Sequence, residues 1–137
     1  MPMAMALIDC VVATPEGPVF DGKARSVVVP AADGELGILP RHAPLIAALG
    51  CGELRVEEES GEKGRYFLDG GFVQVLSNRV TVLATAAEAA TSLNPAEAEK
   101  RVEELLQSPP PAGSSIEARA AYQERLRAAR VRRKLAG

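Results

Sequence analysis

Residues 29–45 read VPAADGELGILPRHAPL, and they indicate the fold more clearly than any other stretch of the chain. The valine-rich run from Ser26 to Val29 ends at Pro30, which suits a buried strand that stops at a turn. Glycines at positions 34 and 37 and prolines at 40 and 44 then place turn residues only a few positions apart. This spacing predicts short β-strands rather than helices.

The residues that follow predict more strands of the same kind. Residues 54–57 alternate between apolar and charged side chains, as expected for a strand with one face in water. A further strand is predicted to lead into a turn at Asp69-Gly70-Gly71. Residues 72–84 predict a tight hairpin whose turn is Ser77-Asn78-Arg79. Many short strands without intervening helices predict an antiparallel β-sandwich or barrel over residues 1–91.

The remaining residues, 92–137, form a predicted second domain in which helix signals replace turn signals. Asn94 is a good N-cap, and Pro95 and Glu97 complete the pattern that begins a helix. Apolar residues then recur about one helical turn apart. We therefore predict a first helix over about residues 95–107.

A proline-rich segment, residues 108–113, ends this first helix. Ser114 with Glu117 forms a second start pattern, from which we predict a second helix over about residues 115–135. Two helices joined by a short loop form an antiparallel hairpin. The predicted fold class is therefore an N-terminal antiparallel β-sandwich followed by a C-terminal α-helical hairpin.

Composition and cysteine usage limit the kind of protein. The chain has 137 residues, of which 47% are apolar and 25% are charged, as in an ordinary globular domain. This composition excludes a disordered chain, a collagen and a disulfide scaffold. Cys10 and Cys51 lie far apart in sequence, which favours two buried thiols over a disulfide. No window approaches the ~20 apolar residues that span a bilayer, so we expect a soluble protein.

The formal net charge of −2 conceals two oppositely charged parts. Residues 1–113 carry a net charge of −7, and residues 114–137 carry one of +5. The predicted second helix is therefore basic, and it forms either a solvated face or a surface that docks on an acidic partner. Nucleic acid is not an expected partner, because no aromatic platform accompanies the charge and the acidic part would repel phosphate. The basic residues in the second half of this helix are Arg125, Arg127, Arg130, Arg132, Arg133 and Lys134.

The sequence offers little for catalysis. The single histidine, His42, and two distant cysteines do not make a metal site, and we expect neither a metal nor a cofactor. His42 lacks an accompanying Gly-x-Ser-x-Gly sequence, so we interpret it as a residue that orders the loop between Pro40 and Pro44. The glycine-rich stretch 33–37 lacks the lysine and the following helix of a phosphate site. We expect no enzyme. Two functions nevertheless stay open as alternatives on the residues alone: a β-sandwich binding module with a helical dimerisation tail, and a small hydrolase that uses His42.

Two stretches together carry a family resemblance. Residues 29–45, quoted above, and residues 69–84, DGGFVQVLSNRVTVLA, closely resemble the epsilon subunit of F-type ATP synthases. The resemblance implies a β-sandwich of about ten strands and a two-helix C-terminal domain. It also implies a non-catalytic rotor subunit that is held between the gamma subunit and the ring of c subunits and couples the two. No Arg-rich transit segment precedes the first strand, so we expect a peripheral position at the cytoplasmic face of a bacterial inner membrane.

The resemblance also implies roles for particular residues. One stretch would face the polar loops of the c ring, with Glu35 as the main polar contact and His42 as a further interface residue. That stretch is Asp33, Gly34, Glu35, Leu36 and Gly37. The helical hairpin would be a regulator that either folds against the sandwich or extends along gamma. In the extended state its basic second helix would meet the acidic surface of the catalytic alpha and beta subunits and inhibit ATP hydrolysis.

One motif departs from the family pattern. Some bacterial members bind ATP at the start of the first C-terminal helix, through an Ile or Leu, an Asp, two variable residues and then Arg-Ala. Residues 93–98 here read LNPAEA, so that Asn94 replaces the aspartate and Glu97 replaces the arginine. A carboxylate in place of a guanidinium repels a triphosphate. We therefore expect ATP binding to be weak or absent.

Overall fold

The structure is a computed structural model that describes residues 6–137. Six β-strands come first, and a short 3-10 helix, Ala90–Ser92, and two α-helices follow. The strands are β1 (Ile8–Thr14), β2 (Gly17–Ala31), β3 (Gly34–Ile38), β4 (Leu45–Glu58), β5 (Lys63–Leu76) and β6 (Arg79–Ala89). The helices are α1 (Pro95–Gln107) and α2 (Ile116–Ala136). The predicted order of strands followed by a helical hairpin is confirmed.

The strands form a sheet that closes on itself. Neighbours follow the order β1, β6, β5, β4, β2, and β1 also pairs with β2, so that five strands make a closed ring. All pairs are antiparallel except β1 with β6. The structure has six strands and not the expected ten or so, because β2, β4 and β5 each run for 14 or 15 residues. β2 pairs with β1 through its first half and with β3 through its second, so one long strand serves two parts of the sandwich.

The predicted turn at Asp69-Gly70-Gly71 is wrong. These residues lie inside β5, which continues to Leu76. Gly70 and Gly71 have φ angles of 68° and 120°, and a Cβ atom on Gly71 would stand 2.0 Å from the carbonyl oxygen of Leu83 in β6. The two glycines therefore let β5 pass close to β6 without ending the strand.

The predicted hairpin between β5 and β6 is confirmed, but its turn is one residue shorter than predicted because Arg79 already belongs to β6. β5 ends at Leu76 and β6 begins at Arg79, which leaves Ser77-Asn78 as a two-residue turn. Both turn residues have positive φ, 51° and 62°, as the tightest hairpin turns require. The Asn78 side chain donates from Nδ2 to the carbonyl oxygen of Leu7 at 2.6 Å. The turn is thereby tied to the residue that precedes β1.

Alternate side chains of the strands fill the interior of the sandwich. Ile8, Cys10 and Val12 of β1 are buried while their neighbours are only partly so. Leu54 and Val56 of β4 are buried too, which confirms the alternation predicted there. The other large fully buried core residues are Val27, Val29, Ile38, Leu68, Val73, Val75, Val80 and Val82. Valines dominate because β-branched side chains pack well on a pleated surface.

Side chains cap both helices at their first turns. Asn94 accepts a hydrogen bond through Oδ1 from the backbone N–H of Glu97 at 3.1 Å, as predicted. The cap of α2 is Ser115, whose Oγ accepts from a backbone N–H three residues on at 3.1 Å, and not the predicted Ser114. Ser114 instead donates its hydroxyl to the carbonyl oxygen of Pro111 at 2.6 Å. Because Ser114 bonds to the proline-rich loop, the capping residue of α2 is one position later than predicted.

The two helices pack on each other through a small apolar cluster. Its members are Val102, Leu105, Tyr122, Leu126 and Ala129. The Tyr122 hydroxyl donates to the carbonyl oxygen of Leu105 at 2.7 Å and so joins α2 to the end of α1. The hairpin rests on the sandwich through α2, which contacts β4, β5 and the 3-10 helix. α2 is therefore the element that sets the position of the hairpin on the sheet.

Candidate functional site

The stretch predicted to face a c ring forms the end of a β-hairpin rather than a loop. Ala32 and Asp33 make the turn, and Gly34 begins β3. Gly34 has a φ of 138°, which only glycine adopts easily, so it allows the chain to reverse here. Asp33, Gly34, Glu35 and Gly37 are exposed, whereas Leu36 is half-buried against the core. Four of the five predicted residues are thus available to a partner.

Glu35 belongs to a ladder of charged side chains on the surface of the sheet. Arg55 donates from Nη1 to a Glu35 oxygen at 2.9 Å and to a Glu53 oxygen at 2.8 Å. Arg65 donates from Nε to the other Glu53 oxygen at 2.7 Å. Burial alone would raise the pKa of Glu53, but the hydrogen bonds from Arg55 and Arg65 outweigh it and hold that pKa below its usual value. Glu35 is thus exposed and held in position at once.

His42 lies in a loop that is anchored to the β5–β6 turn. Its Nδ1 atom stands 2.7 Å from the carbonyl oxygen of Ala43, and because a carbonyl only accepts, Nδ1 carries the proton. The preceding residue, Arg41, has a φ of 64° and donates its backbone N–H to Asn78 Oδ1 at 3.0 Å. These contacts support the interpretation of His42 as a residue that orders the loop.

An exposed apolar face on β4, β5 and β6 was missed from the sequence. Ile46, Phe72 and Leu83 are 73%, 60% and 58% exposed. Phe72 pairs with Ala48 on one side and with Leu83 on the other, so these side chains share one face of the sheet. The signal was available, because residues 72–76 and 80–84 are apolar in the core-facing phase of the strand alternation and, apart from Gln74 and Thr81, in the outward phase as well. A strand that is apolar on both faces buries one in the core and offers the other to a partner.

The six basic residues predicted on α2 do not form one patch. Arg132 pairs with Glu88 of β6 and stacks on Phe67 of β5, its guanidinium carbon 4.2 Å from the ring centroid. Arg133 lies 3.6 Å from Glu99 of α1. The other four are exposed, and they are Arg125, Arg127, Arg130 and Lys134. The docked helix thus keeps most of its positive charge in solvent.

A cleft of about 600 Å³ separates α2 from the sandwich. It is lined by residues 49–51 of β4 and 69–70 of β5 and by residues of both helices, and among its charged lining residues are four arginines and two carboxylates. These charged residues are Arg101, Arg125, Arg127, Arg132, Asp69 and Glu124. Sequence reasoning missed Arg101, because nothing in the pattern of α1 indicated that it would lie opposite α2.

The Cys51 thiol also lines this cleft. Burial raises the pKa of Cys51 to about 11, with a further contribution from Asp69, while Arg127 and Arg132 act in the opposite direction. Cys10 lies in the sandwich core, where burial raises its pKa to about 12. Both cysteines are free thiols, as predicted, although Cys51 is only half-buried.

Asn94 and Glu97, the two departures from the nucleotide motif, serve the start of α1. The Asn94 side-chain oxygen Oδ1 accepts the hydrogen bond from the Glu97 backbone N–H, and both side chains are exposed. Among residues 6–137, no group of three metal-ligating side chains lies close enough together to hold an ion. No helix in the same range is both long and apolar enough to cross a membrane.

These observations define a class of protein: a small closed β-sandwich with a docked helical hairpin, whose distinctive surfaces suit contacts with other proteins. Residues 7–90 match the family model described as the β-sandwich domain of the ATP synthase delta/epsilon chain. The chain therefore belongs to the ATP synthase delta/epsilon family, and the resemblance to the epsilon subunit is confirmed.

Similar proteins of known sequence agree with this assignment. The ATP synthase epsilon chain of Alkalilimnicola ehrlichii is 40% identical over 105 residues, which cover 74% of this chain and 75% of that one. The epsilon chain of Pelotomaculum thermopropionicum is 44% identical over 98 residues, which cover 69% and 72%. Identity at this level over most of both chains shows common family membership.

Solved structures share the fold at lower identity. A chain in the Euglena gracilis mitochondrial ATP synthase matches with a TM-score of 0.77 at 21% identity, over 91% of this chain and 78% of that one. A chain from the central stalk and c-ring structure of the Tetrahymena thermophila mitochondrial ATP synthase matches with a TM-score of 0.64 at 15% identity, over the whole of both. The sandwich and hairpin together are thus a known arrangement.

Proposed function

We propose that this protein is a non-catalytic rotor subunit of an ion-translocating ATP synthase, which joins the c ring to the gamma subunit. The observation that carries the proposal is the exposed apolar face around Ile46, Phe72 and Leu83. Such a face is unfavourable in water and becomes favourable when a partner covers it. Family membership favours this role over a general binding module or a hydrolase that uses His42.

The apolar face is the surface that we assign to gamma. Rotation at the c ring reaches gamma only if the connecting subunit does not slip, which demands a large and rigid contact. A sheet face meets this demand, because its side chains are already ordered and lose little entropy on binding. The closed ring of β-strands adds stiffness, since every strand of the ring is paired on both edges.

The β2–β3 hairpin is the surface that we assign to the polar loops of the c ring. Glu35 offers an exposed carboxylate that Arg55 holds in place, so a basic or hydroxyl-bearing loop finds it preorganised. Asp33 adds a second exposed charge at the turn. His42 lies in the anchored loop that follows β3, and we assign it as a further contact with the c ring.

We further propose that the helical hairpin regulates hydrolysis by leaving the docked position seen here. The extended hairpin presents its basic second helix to acidic surface on the catalytic alpha and beta subunits. The small side chains of α2 support this, because the helix stands off the sandwich across the cleft and buries little apolar area against it. Two states separated by a small free energy are what a population shift requires.

The nucleotide motif is degraded, and we propose weak or absent ATP binding at Asn94 and Glu97. Isothermal titration of the full chain tests this directly. The expected result is no heat above dilution at micromolar ATP, and a saturable micromolar isotherm would contradict the proposal.

Copurification tests the rotor role. A tagged full-length chain, expressed in its own host, should retain gamma and c subunits through affinity purification. Recovery of the chain without either subunit would refute the rotor proposal.

Deletion of the hairpin tests the regulatory role. The assembled enzyme should hydrolyse ATP faster when residues 92–137 are deleted from its epsilon subunit, and an unchanged rate would refute the regulatory role alone. The peripheral, cytoplasmic position at a bacterial membrane follows from the rotor proposal.

A further inference from the structure

Phe67 is buried but belongs to neither apolar core. It is 1% exposed, yet it is absent from both the sandwich cluster and the cluster between the helices. It lies in β5 between Glu53 of β4 and Glu88 of β6, its direct cross-strand partners, so all three side chains share the outer face of the sheet. An aromatic ring between two carboxylates is unusual on an outer face, and it is buried here because α2 lies over it.

Arg132 is the residue of α2 that covers this ring. Its guanidinium stacks on Phe67 at 4.2 Å and pairs with the Glu88 carboxylate at the same time. A planar guanidinium meets an aromatic face and a carboxylate together, which a lysine ammonium does less well. Arg132 is therefore matched to both of its partners on the sheet.

The rest of the contact between hairpin and sandwich is weak. Toward the middle of α2 the helix stands over the cleft, which Ala121 and Ala128 line with small side chains. Of the buried side chains of α2, Leu135 lies outside the apolar cluster between the helices. The ion pair and the aromatic contact that join α2 to the sandwich thus both lie in the last two turns of the helix, at Arg132.

We propose that Arg132, Phe67 and Glu88 form a latch that holds the hairpin docked and that competes with its inhibitory use. Arg132 is one of the basic residues that an extended α2 would offer to an acidic partner, so the same guanidinium serves one state or the other. This inference rests on the regulatory role proposed above. It adds that the strength of the latch decides how readily the hairpin leaves the sandwich.

The chain contains its own reporter for opening of the latch. Cys51 lines the cleft beneath α2, whereas Cys10 is sealed in the sandwich core. When the hairpin leaves, Cys51 becomes accessible to a thiol reagent while Cys10 stays protected. Because Cys51 is already half-buried rather than sealed in the docked state, the increase in its modification rate above that of the wild type follows the population of the open state.

The decisive comparison is between Arg132→Gln and Arg130→Gln. Both substitutions remove one positive charge from the same helix, but Arg130 is exposed and has no ion-pair partner in the part of the chain that the structure describes. Maleimide labelling of the full chain, followed by peptide mass spectrometry, gives separate rates for the two cysteines. Loss of one stacked and paired guanidinium should raise the Cys51 rate about tenfold in Arg132→Gln. Arg130→Gln should match the wild type, and Cys10 should stay unreactive in all three proteins.

The direct effect of the charge on the thiol opposes this result. Arg132 lowers the pKa of Cys51, so its removal by itself would leave less thiolate and slow the reaction. A faster reaction in Arg132→Gln therefore reports access and not activation. Equal Cys51 rates in the two variants would overturn the latch, and so would a parallel rise at Cys10, because that would mean global unfolding.

One further variant, compared with Arg132→Gln, separates the latch from the regulatory proposal. Phe67→Leu keeps an apolar side chain and leaves Arg132 intact, so it should open the latch and strengthen inhibition of ATP hydrolysis in the assembled enzyme. Arg132→Gln should open the latch without that gain, since it also removes a charge that inhibition uses. If labelling of Cys51 rises in both while hydrolysis is unchanged, the latch stands and the regulatory role fails. If neither variant labels faster, the latch itself is refuted.

Discussion

Replacing Phe72 by serine tests the apolar face at its centre. The side chain is 60% exposed, and a whole phenylalanine presents roughly 200 Å², so a partner that covers it removes about 120 Å² from water. At about 25 cal/mol per Å², this burial contributes about 3 kcal/mol to binding. We therefore expect Phe72→Ser to weaken binding to gamma by roughly 100-fold.

The assay is a binding titration of the purified chain against an enzyme complex stripped of this subunit. The control is Ile116→Ser, which removes an even more exposed apolar side chain, 80% exposed, from the start of α2. It should bind like the wild type. Thermal unfolding of both variants should match the wild type closely, because substitutions at exposed positions change stability by only about 0.5 kcal/mol.

The refuting result is specific. If Phe72→Ser binds as tightly as Ile116→Ser, the apolar face is not part of the interface, and the observation that carries the rotor proposal loses its meaning. If Phe72→Ser instead unfolds at a much lower temperature, Phe72 supports the fold and the face is not free.

Three further predictions concern the framework of these surfaces. Gly71→Ala should destabilise the chain by at least about 3 kcal/mol in chemical denaturation, because Gly71 has a positive φ and a Cβ atom there would meet the backbone of β6. Gly37→Ala is the control: it has open space around it and should change the stability by no more than about 1 kcal/mol. Similar unfolding midpoints for the two variants would contradict the account of β5. Tyr122→Phe should cost about 1 kcal/mol, because the Leu105 carbonyl loses a buried hydrogen bond, and an unchanged unfolding midpoint would show that this bond is unimportant. Asn94→Ala should cost about 1 kcal/mol through loss of the α1 cap, whereas Asn94→Asp should retain full stability; equal loss in both would argue against capping.

Local patterns were read correctly where a few neighbouring residues decide the outcome. The hairpin between β5 and β6 depends on adjacent turn residues that adopt positive φ, and the cap at Asn94 depends on a side chain that bonds within its own turn. The buried thiol of Cys10 follows from its place in an alternating apolar strand. Each of these features survives in almost any tertiary setting, so the chain sequence is enough to predict it.

Other features were misread because their cause lies in another part of the chain. Asp69-Gly70-Gly71 has the composition of a turn, but glycine is needed there because the backbone of β6, more than ten residues away in sequence, leaves no space for a Cβ atom on Gly71. Ser114 is a residue type that often caps helices, but its hydroxyl donates a hydrogen bond to the carbonyl oxygen of Pro111 instead. In both cases a contact that sequence spacing does not reveal outweighs the local preference.

By itself the sequence determined the order of sandwich and hairpin, the acidic and basic parts, and the family, because periodicity, caps and motifs are written along the chain. Only the tertiary structure decided which apolar residues stay in water and where the basic charge is held. Phe72 and Phe67 occupy similar stretches of the same strand, yet one remains exposed and the other is covered by Arg132. That difference arises because a helix sixty residues away docks over one half of β5 and leaves the other half open.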